Sequence, residues 1–185
     1  NKKAKFMAIG QLIKNSDFII ESASRNVIKS ILTNKNLDKK GKKLLIMSTG
    51  GLINCLNLLK KIKYCEILLP SGAIAGLDAI KAASGKIESL SLTTTKPIKG
   101  LESSPYVIKN KIDLNILKEK KIIFEGNLKD AVDGFPQNIN VAATLFLASK
   151  FKNIRIKIVA DPDTKFNTHE IQANGDFGEL NITPK

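Results

Sequence analysis

The stretch LLIMSTGG at residues 44–51 decides the fold, because a short and wholly apolar run ends abruptly in small residues. A continuous apolar run of this length is typical of a strand buried on both faces of a parallel sheet. The stretches FIIESAS at residues 18–24 and CEILLPSG at residues 65–72 repeat the pattern. Apolar residues at helical spacing lie between these runs, over residues 26–37 and 54–62. The sequence therefore predicts a parallel sheet with helices covering both faces.

Each of these three predicted strands ends in small residues at its carboxyl end. Serine, alanine, threonine and glycine follow the first two strands, and Pro70, Ser71 and Gly72 follow the third. Open α/β sheets bind ligands at the carboxyl ends of their strands, where small side chains let a ligand approach the backbone. We therefore expect this edge of the sheet to face a ligand.

The pattern changes after residue 72. Residues 87–95 (IESLSLTTT) alternate between apolar and polar side chains, which is typical of a strand with one solvated face. Further strands are predicted at residues 122–125, 154–160, 169–173 and 180–182, and helices at residues 74–83, 128–135 and 141–151. The first of these helices contains Gly76, and residues 97–105 are predicted to form a loop. This succession predicts a mixed or antiparallel sheet with helices on one face, and a domain boundary near residues 70–72.

Composition limits the possible classes of protein. With 185 residues and 43% hydrophobic content, the chain can bury a core in one domain or two small lobes. No apolar run approaches the roughly 18 residues that span a bilayer. The net charge is +13, but only Arg25 and Arg155 are arginines among 30 basic residues, and the lysines are spread along the chain. A solvated lysine-rich surface is therefore favoured over nucleic-acid binding, and the two cysteines are expected to be reduced.

His169 is the single histidine of the chain, in the stretch VADPDTKFNTHEI at residues 159–171. Its usual pKa of about 6.5 makes it the obvious group for proton transfer near neutral pH. A buried histidine held by one hydrogen bond is the structural alternative, but we expect a ring that lines a wet cleft. Lys96 could pair with a substrate carboxylate or simply decorate the surface. Asp161 and Asp163 flank a proline, which predicts a turn rather than a metal site.

Several longer motifs resemble the L-aspartate dehydrogenase family. They are PSGAIAGLDAI (70–80), KPIKGLE (96–102), FEGNLKDAVDGFPQNINVAAT (124–144), VADPDTKFNTHEI (159–171) and GDFGEL (175–180). The resemblance implies an α/β fold in which residues 1–70 are the C-terminal half of a Rossmann-type NAD(P)-binding domain. Residues 71–185 would then be an α+β catalytic domain with a mixed or antiparallel sheet.

The resemblance also implies an activity and a set of site residues. The activity would be oxidation of L-aspartate to iminoaspartate with NAD or NADP, feeding NAD biosynthesis in the cytoplasm, in a homo-oligomer such as a dimer. His169 would be catalytic, and Ala23, Ala73 and Asn140 would contact the cofactor. Asn140, like Asn138, could equally cap the helix that follows it. From the residues themselves, we expect no metal, nucleic acid or membrane to be involved.

The sequence departs from this family at both ends. No GxGxxG follows an opening strand, so we expect the chain to lack the N-terminal part of the Rossmann domain. The Asn-Pro-Lys-type segment and final helix that are usual in the family are not present either, so we expect the extreme C-terminus of the family to be lacking. These departures leave alternatives open. One is a related amino-acid or homoserine-type dehydrogenase, another is a non-catalytic binding or assembly module, and a third is a nucleic-acid binder driven by the positive charge.

Overall fold

The computed structural model of the protein describes residues 4–72, 74–137 and 139–183. The chain divides into two compact units, Asn1–Pro70 and Ser71–Lys185. Within the described residues, no helix has both the length and the apolar character that crossing a membrane requires.

The first unit contains a three-stranded parallel sheet with the strand order β1-β2-β3. Its helices and strands are α1 (Ile9–Asn15), β1 (Phe18–Glu21), α2 (Ile28–Leu32), β2 (Lys43–Ile46), α3 (Leu56–Leu59) and β3 (Glu66–Leu68). Short 3-10 helices at Arg25–Val27 and Thr49–Cys55 lead into α2 and α3. The predicted parallel sheet is confirmed, with Leu44 of β2 aligned between Ile19 of β1 and Ile67 of β3.

Two features of the first unit differ from the prediction. The helices are shorter than the apolar spacing indicated, because part of each predicted helix is a 3-10 turn or a loop. In addition, one face of β1 is not covered: Phe18 is 52% exposed and Ile20 is 58% exposed. Ile9 and Leu12 on α1 also expose much of their surface. The first unit thus carries apolar side chains on its surface beside an outer strand of its sheet.

Buried polar groups hold the loops of the first unit. Lys42 is buried, and its Nζ donates hydrogen bonds to the carbonyl oxygens of Ile13, at 2.8 Å, and of Ser16. Both carbonyls lie at the end of α1, where a cation is favoured by the exposed carbonyls of the last turn. This lysine therefore fixes the end of α1 to the start of β2.

The second unit contains a five-stranded mixed sheet with the order β5-β6-β4-β7-β8. Its elements are α4 (Leu77–Ala82), β4 (Ile87–Pro97), α5 (Pro105–Lys109), β5 (Lys121–Gly126), α6 (Leu128–Gly134), α7 (Asn140–Ser149), β6 (Arg155–Asp161), β7 (Thr168–Gly175) and β8 (Gly178–Ile182). β4 pairs with β6 in parallel, and the other neighbours are antiparallel. The predicted mixed sheet is confirmed.

Gly76 corrects one predicted helix. It lies before α4 rather than inside it, with φ of 67° in the left-handed region, so the helix begins at Leu77. A Cβ atom at this position would also lie 2.5 Å from Cδ1 of Ile182 on β8. The glycine thus serves a turn and a close approach, and neither requirement is visible in the spacing of apolar residues. Residues 97–105 are not entirely loop either, since Ile98–Gly100 form a 3-10 turn and α5 begins at Pro105.

An aromatic cluster anchors the helices of the second unit. The rings of Tyr106, Phe124 and Phe135 pack with their centroids 5.2 to 5.4 Å apart, and Phe135 is fully buried. Gly134 permits this packing, because an added Cβ would lie 3.0 Å from Cβ of Tyr106. The start of the FPQNINVAAT motif therefore belongs to the core.

Candidate active site

His169 lies near the start of β7, directly opposite Thr94 of β4 in the antiparallel pairing. Its Nδ1 is 3.1 Å from the hydroxyl oxygen of Thr94, within hydrogen-bonding distance. The hydroxyl can donate or accept, so it can hold either neutral tautomer of the ring. The ring is thereby fixed in orientation by a residue of the neighbouring strand.

The face of the sheet that carries His169 changes character along β4. From Leu90 onward the buried side chains of β4 alternate along the strand, and in sequence they are Leu90, Leu92, Thr94 and Lys96. Residues two apart on a strand share a face and lie about 7 Å from each other. Thr94 and Lys96 therefore continue the row of Leu90 and Leu92 with polar side chains. Opposite them, His169 precedes the fully buried Ile171 on the same face. The site is thus a small polar group at one end of an aliphatic layer.

Lys96 is as deeply placed as the histidine. Each of the two residues is only 6% exposed. Burial lowers the pKa of Lys96 below its usual value. No hydrogen bond or ion pair to Lys96 Nζ is formed by any residue that the structure describes. Since no fully buried side-chain nitrogen of the described residues lacks a partner, the Nζ atom reaches solvent while the stem of Lys96 is enclosed.

The pKa of His169 is lowered, first by burial of the ring and second by the positive charge of Lys96. Both effects disfavour the imidazolium, so the ring stays neutral at pH values somewhat below the usual pKa. A neutral imidazole that is oriented through Nδ1 has Nε2 as its second nitrogen for proton transfer. The arrangement is therefore suited to general base chemistry.

The expectation of an open wet cleft around His169 needs correction. The ring is almost wholly enclosed, but its neighbours on β4 are polar rather than only aliphatic. A closed polar site strengthens electrostatic interactions because water screens them less. The environment thus differs from both an open cleft and a purely aliphatic core.

The first unit contains a second candidate region around Ala23. This residue is exposed and follows β1, and its N–H donates to the buried Glu21 carboxylate at 2.9 Å. The same carboxylate accepts hydrogen bonds from the N–H groups of Ser24 and Ser48 and from the Ser48 hydroxyl. Glu21 therefore ties together the loops at the carboxyl ends of β1 and β2.

Ala23 also lines a cavity of about 270 Å³ whose walls are mostly apolar. The cavity lies between α1, β1 and the segment leading into α2, and Ile19, Ile20 and Val27 contribute to it. Its position at the carboxyl end of a parallel strand is where α/β sheets bind ligands. The small residues after β1 thus border a space that an apolar ring can enter.

The remaining predicted site residues are placed as follows. Asn140 is exposed and is the first residue of α7, and Ile139 occupies the N-cap position. Ala73 lies outside the described residues, as does Asn138. Asp161 accepts the N–H of Asp163 at 2.9 Å, which forms the predicted turn. Within the described residues, no group of three potential ligands from His, Cys, Asp and Glu could hold a metal.

Sequence reasoning missed two residues of these regions. Thr94 was one of three successive threonines, and only its alternation with buried neighbours could have placed it on the inner face. Glu21 ends the apolar run of β1. A carboxylate that is buried at such a position needs hydrogen-bond donors, and this requirement was the available signal.

Comparison with known proteins now identifies the family. The family model described as "Aspartate dehydrogenase, C-terminal" matches residues 78–185. L-aspartate dehydrogenase from Methanosarcina acetivorans is 40% identical over 185 aligned positions, which cover 96% of this chain and 68% of that protein. L-aspartate dehydrogenase from Methanocella arvoryzae is 37% identical with the same two shares.

A solved structure agrees with these relatives. The crystal structure of aspartate dehydrogenase from Thermotoga maritima superposes with a TM-score of 0.75 at 25% sequence identity. The superposition covers 98% of this chain and 72% of that one. The resemblance inferred from the motifs is confirmed by sequence and by fold, and the chain belongs to the L-aspartate dehydrogenase family.

Proposed function

We propose that the protein is an NAD(P)-dependent dehydrogenase that converts L-aspartate to iminoaspartate and thereby feeds NAD biosynthesis. Family membership supports the activity. The single observation that carries the chemistry is a buried, oriented histidine with a lowered pKa, held by Thr94. We propose His169 as the catalytic residue.

The reaction requires that a proton leave the substrate nitrogen while hydride leaves Cα, so that a C=N bond forms. Neutral His169 accepts the nitrogen proton and becomes imidazolium. The nicotinamide ring supplies the hydride acceptor. Thr94 holds the imidazole during the transfer, and burial excludes water that would compete for the proton.

A cavity in the first unit supports the proposal of a nicotinamide cofactor. The apolar cavity beside Ala23 has the position and lining for a flat aromatic ring. We propose Ala23 and Ala73 as backbone contacts to the cofactor. The Asn140 amide, which offers both a donor and an acceptor, would hold the carboxamide.

We propose further that residues 1–70 are a partial nucleotide-binding domain and that residues 71–185 are the catalytic domain. The parallel sheet of the first unit and the family match of the second support this division. Following the family resemblance, the protein would work as a homodimer in the cytoplasm with either NAD or NADP. Sedimentation equilibrium would measure the mass of the particle, and a monomer would contradict the proposed dimer.

The decisive experiment is L-aspartate-dependent reduction of NAD and of NADP, compared with homoserine and L-glutamate as substrates. His169→Asn is expected to lower kcat by about 10²–10⁴-fold, the usual contribution of a general base. Gln172→Asn, an exposed position on the same strand, is the matched control. Preference for homoserine would favour the related dehydrogenase. Unchanged turnover in His169→Asn would remove the proposed role of His169.

A further inference from the structure

The ammonium group of Lys96 has no anionic partner among the described residues. The residue is only 6% exposed. Among the described residues, none accepts a hydrogen bond from its Nζ or forms an ion pair with it. Ion pairs among the described residues are formed by Lys43, Lys157 and Arg155, and Lys96 takes part in none of these. No fully buried side-chain nitrogen of the described residues lacks a hydrogen-bond partner, so the Nζ end of Lys96 reaches solvent while its aliphatic stem is enclosed. An ammonium group held in place by a buried stem, without a partner among the described residues, can bind an anion that enters beside it.

The acidic side chains nearest to Lys96 on the neighbouring strands do not pair with it. Asp161 ends β6 opposite Pro97, and its carboxylate accepts the N–H of Asp163. Glu170 follows His169 but is exposed on the opposite face of β7. On β4, the only other buried polar side chain is that of Thr94. No described side chain of these three strands therefore supplies the missing negative charge.

We propose that Lys96 binds a carboxylate group of the substrate and so selects a dicarboxylic amino acid. This inference rests on the proposed function and assigns the substrate-binding cation of that same site. Lys96 is two residues from Thr94 on the same face, which places a bound carboxylate beside the imidazole. A carboxylate beside an ammonium group makes a strong, charge-assisted hydrogen bond in a site with little water.

The arrangement also couples binding to proton transfer. The positive charge of Lys96 contributes, after burial, to the lowered pKa of His169. A bound carboxylate offsets this charge and raises the histidine pKa, so the imidazole becomes a better proton acceptor when substrate is present. The base would thus gain strength on formation of the complex.

The test uses the NMR signal of the ring of His169, which is the only histidine signal of the untagged protein. Succinate is the probe, and succinamide is its uncharged counterpart of the same shape. We expect succinate to shift this signal in a saturable manner and to raise its titration midpoint, whereas succinamide leaves both unchanged. Equal effects of the two compounds, or no effect of succinate, would overturn the proposal without any variant.

Variants then assign the effect to Lys96. Lys96→Met is expected to weaken succinate binding by about tenfold or more and to abolish the rise of the histidine midpoint. Lys99→Met removes the same charge from an exposed position three residues away and should change neither. Unaltered succinate affinity in Lys96→Met would contradict the assignment.

The binding measurement is independent of turnover. If succinate binds through Lys96 while the protein fails to oxidise aspartate, the proposed function is wrong and the carboxylate site remains. If aspartate is oxidised with the same KM in Lys96→Met, the proposed function stands and the carboxylate site is wrong.

Discussion

Thr94 and His169 form a pair of side chains 3.1 Å apart on neighbouring strands. Thr94 acts through the histidine and is therefore a positioning residue. Thr94→Val keeps the shape of the side chain but removes the hydroxyl, so the ring loses its fixed orientation. We expect kcat to fall about 10- to 100-fold, by analogy with the hydrogen-bond partners that orient metal-bound histidines.

Thr94→Ser, which retains a hydroxyl, is expected to keep most of the activity. Nitrogen NMR of the ring supplies a second readout, because Thr94→Val should change the ratio of the two neutral tautomers. A Val variant with wild-type turnover and an unchanged tautomer ratio would show that the hydrogen bond has no positioning role.

Lys96 is expected to reduce the stability of the folded protein. Its folded-state pKa is lowered from the usual 10.5, so unfolding takes up a proton in the pH range between the two values. The free energy of unfolding is therefore lowered at neutral pH, and this loss disappears as the pH rises towards 10.5. Lys96→Met should raise the free energy of unfolding at pH 7 by about 1–2 kcal/mol.

Denaturant unfolding of both proteins across a range of pH measures this difference. The advantage of Lys96→Met should shrink from neutral to alkaline pH, and Lys99→Met should show no comparable gain. A variant that is less stable than the wild type at pH 7 would mean that the lysine contributes packing or a partner that outweighs its desolvation.

Between the elements of the first unit, the Glu21 carboxylate accepts four hydrogen bonds from the loops after β1 and β2. In Glu21→Gln an amide group replaces one acceptor oxygen and faces an N–H or hydroxyl donor. We expect the free energy of unfolding to fall by about 1–3 kcal/mol, the cost of leaving buried donors without an acceptor. Denaturant unfolding followed by circular dichroism is the measurement.

Glu66→Gln is the matched control, because Glu66 is on β3 and its exposed carboxylate pairs with Lys43 at the surface. Exposed ion pairs of this kind contribute about 0–1 kcal/mol. Equal losses in the two variants would show that the buried carboxylate has no special role in joining the loops.

The sequence predicted the regular strands well because their signal is local. The alternation at residues 87–95 lies within β4, and three apolar runs marked β1, β2 and β3. The helices α1 and α5 were missed, because elements of seven and five residues depend on tertiary packing rather than on their own pattern. The contacts of Asp38 with the N–H groups of residues 63–65 join positions at least 25 apart, which no local pattern reveals.

The same distinction applies to the candidate site. His169 was found because it is the only histidine. Its hydrogen bond to Thr94 could not be predicted, because the two residues are 75 positions apart and meet only through the register of β4 and β7. The unpaired state of Lys96 depends on every neighbouring strand, so its significance emerges only from the structure.

At the scale of the whole molecule, a net charge of +13 predicts some attraction to nucleic acid. The charge is spread over many lysines, and Arg155 with its neighbour Lys157 lies beside Glu125. We therefore expect only weak duplex DNA binding at low salt, without sequence preference, and no measurable binding at physiological salt. Fluorescence anisotropy of labelled duplexes from low to physiological salt is the measurement, and salt-resistant binding would favour a genuine nucleic-acid function.

The uncovered side of β1 has a consequence for the behaviour of the protein in solution. Phe18 and Ile20 stand on an outer strand, and an outer strand with apolar side chains is a template for pairing with another molecule. At low ionic strength, mutual repulsion of the cationic particles opposes such encounters. Physiological electrolyte shortens the range of that repulsion to about 8 Å. Added salt should therefore turn a clear, dispersed preparation turbid, the reverse of ordinary salting-in.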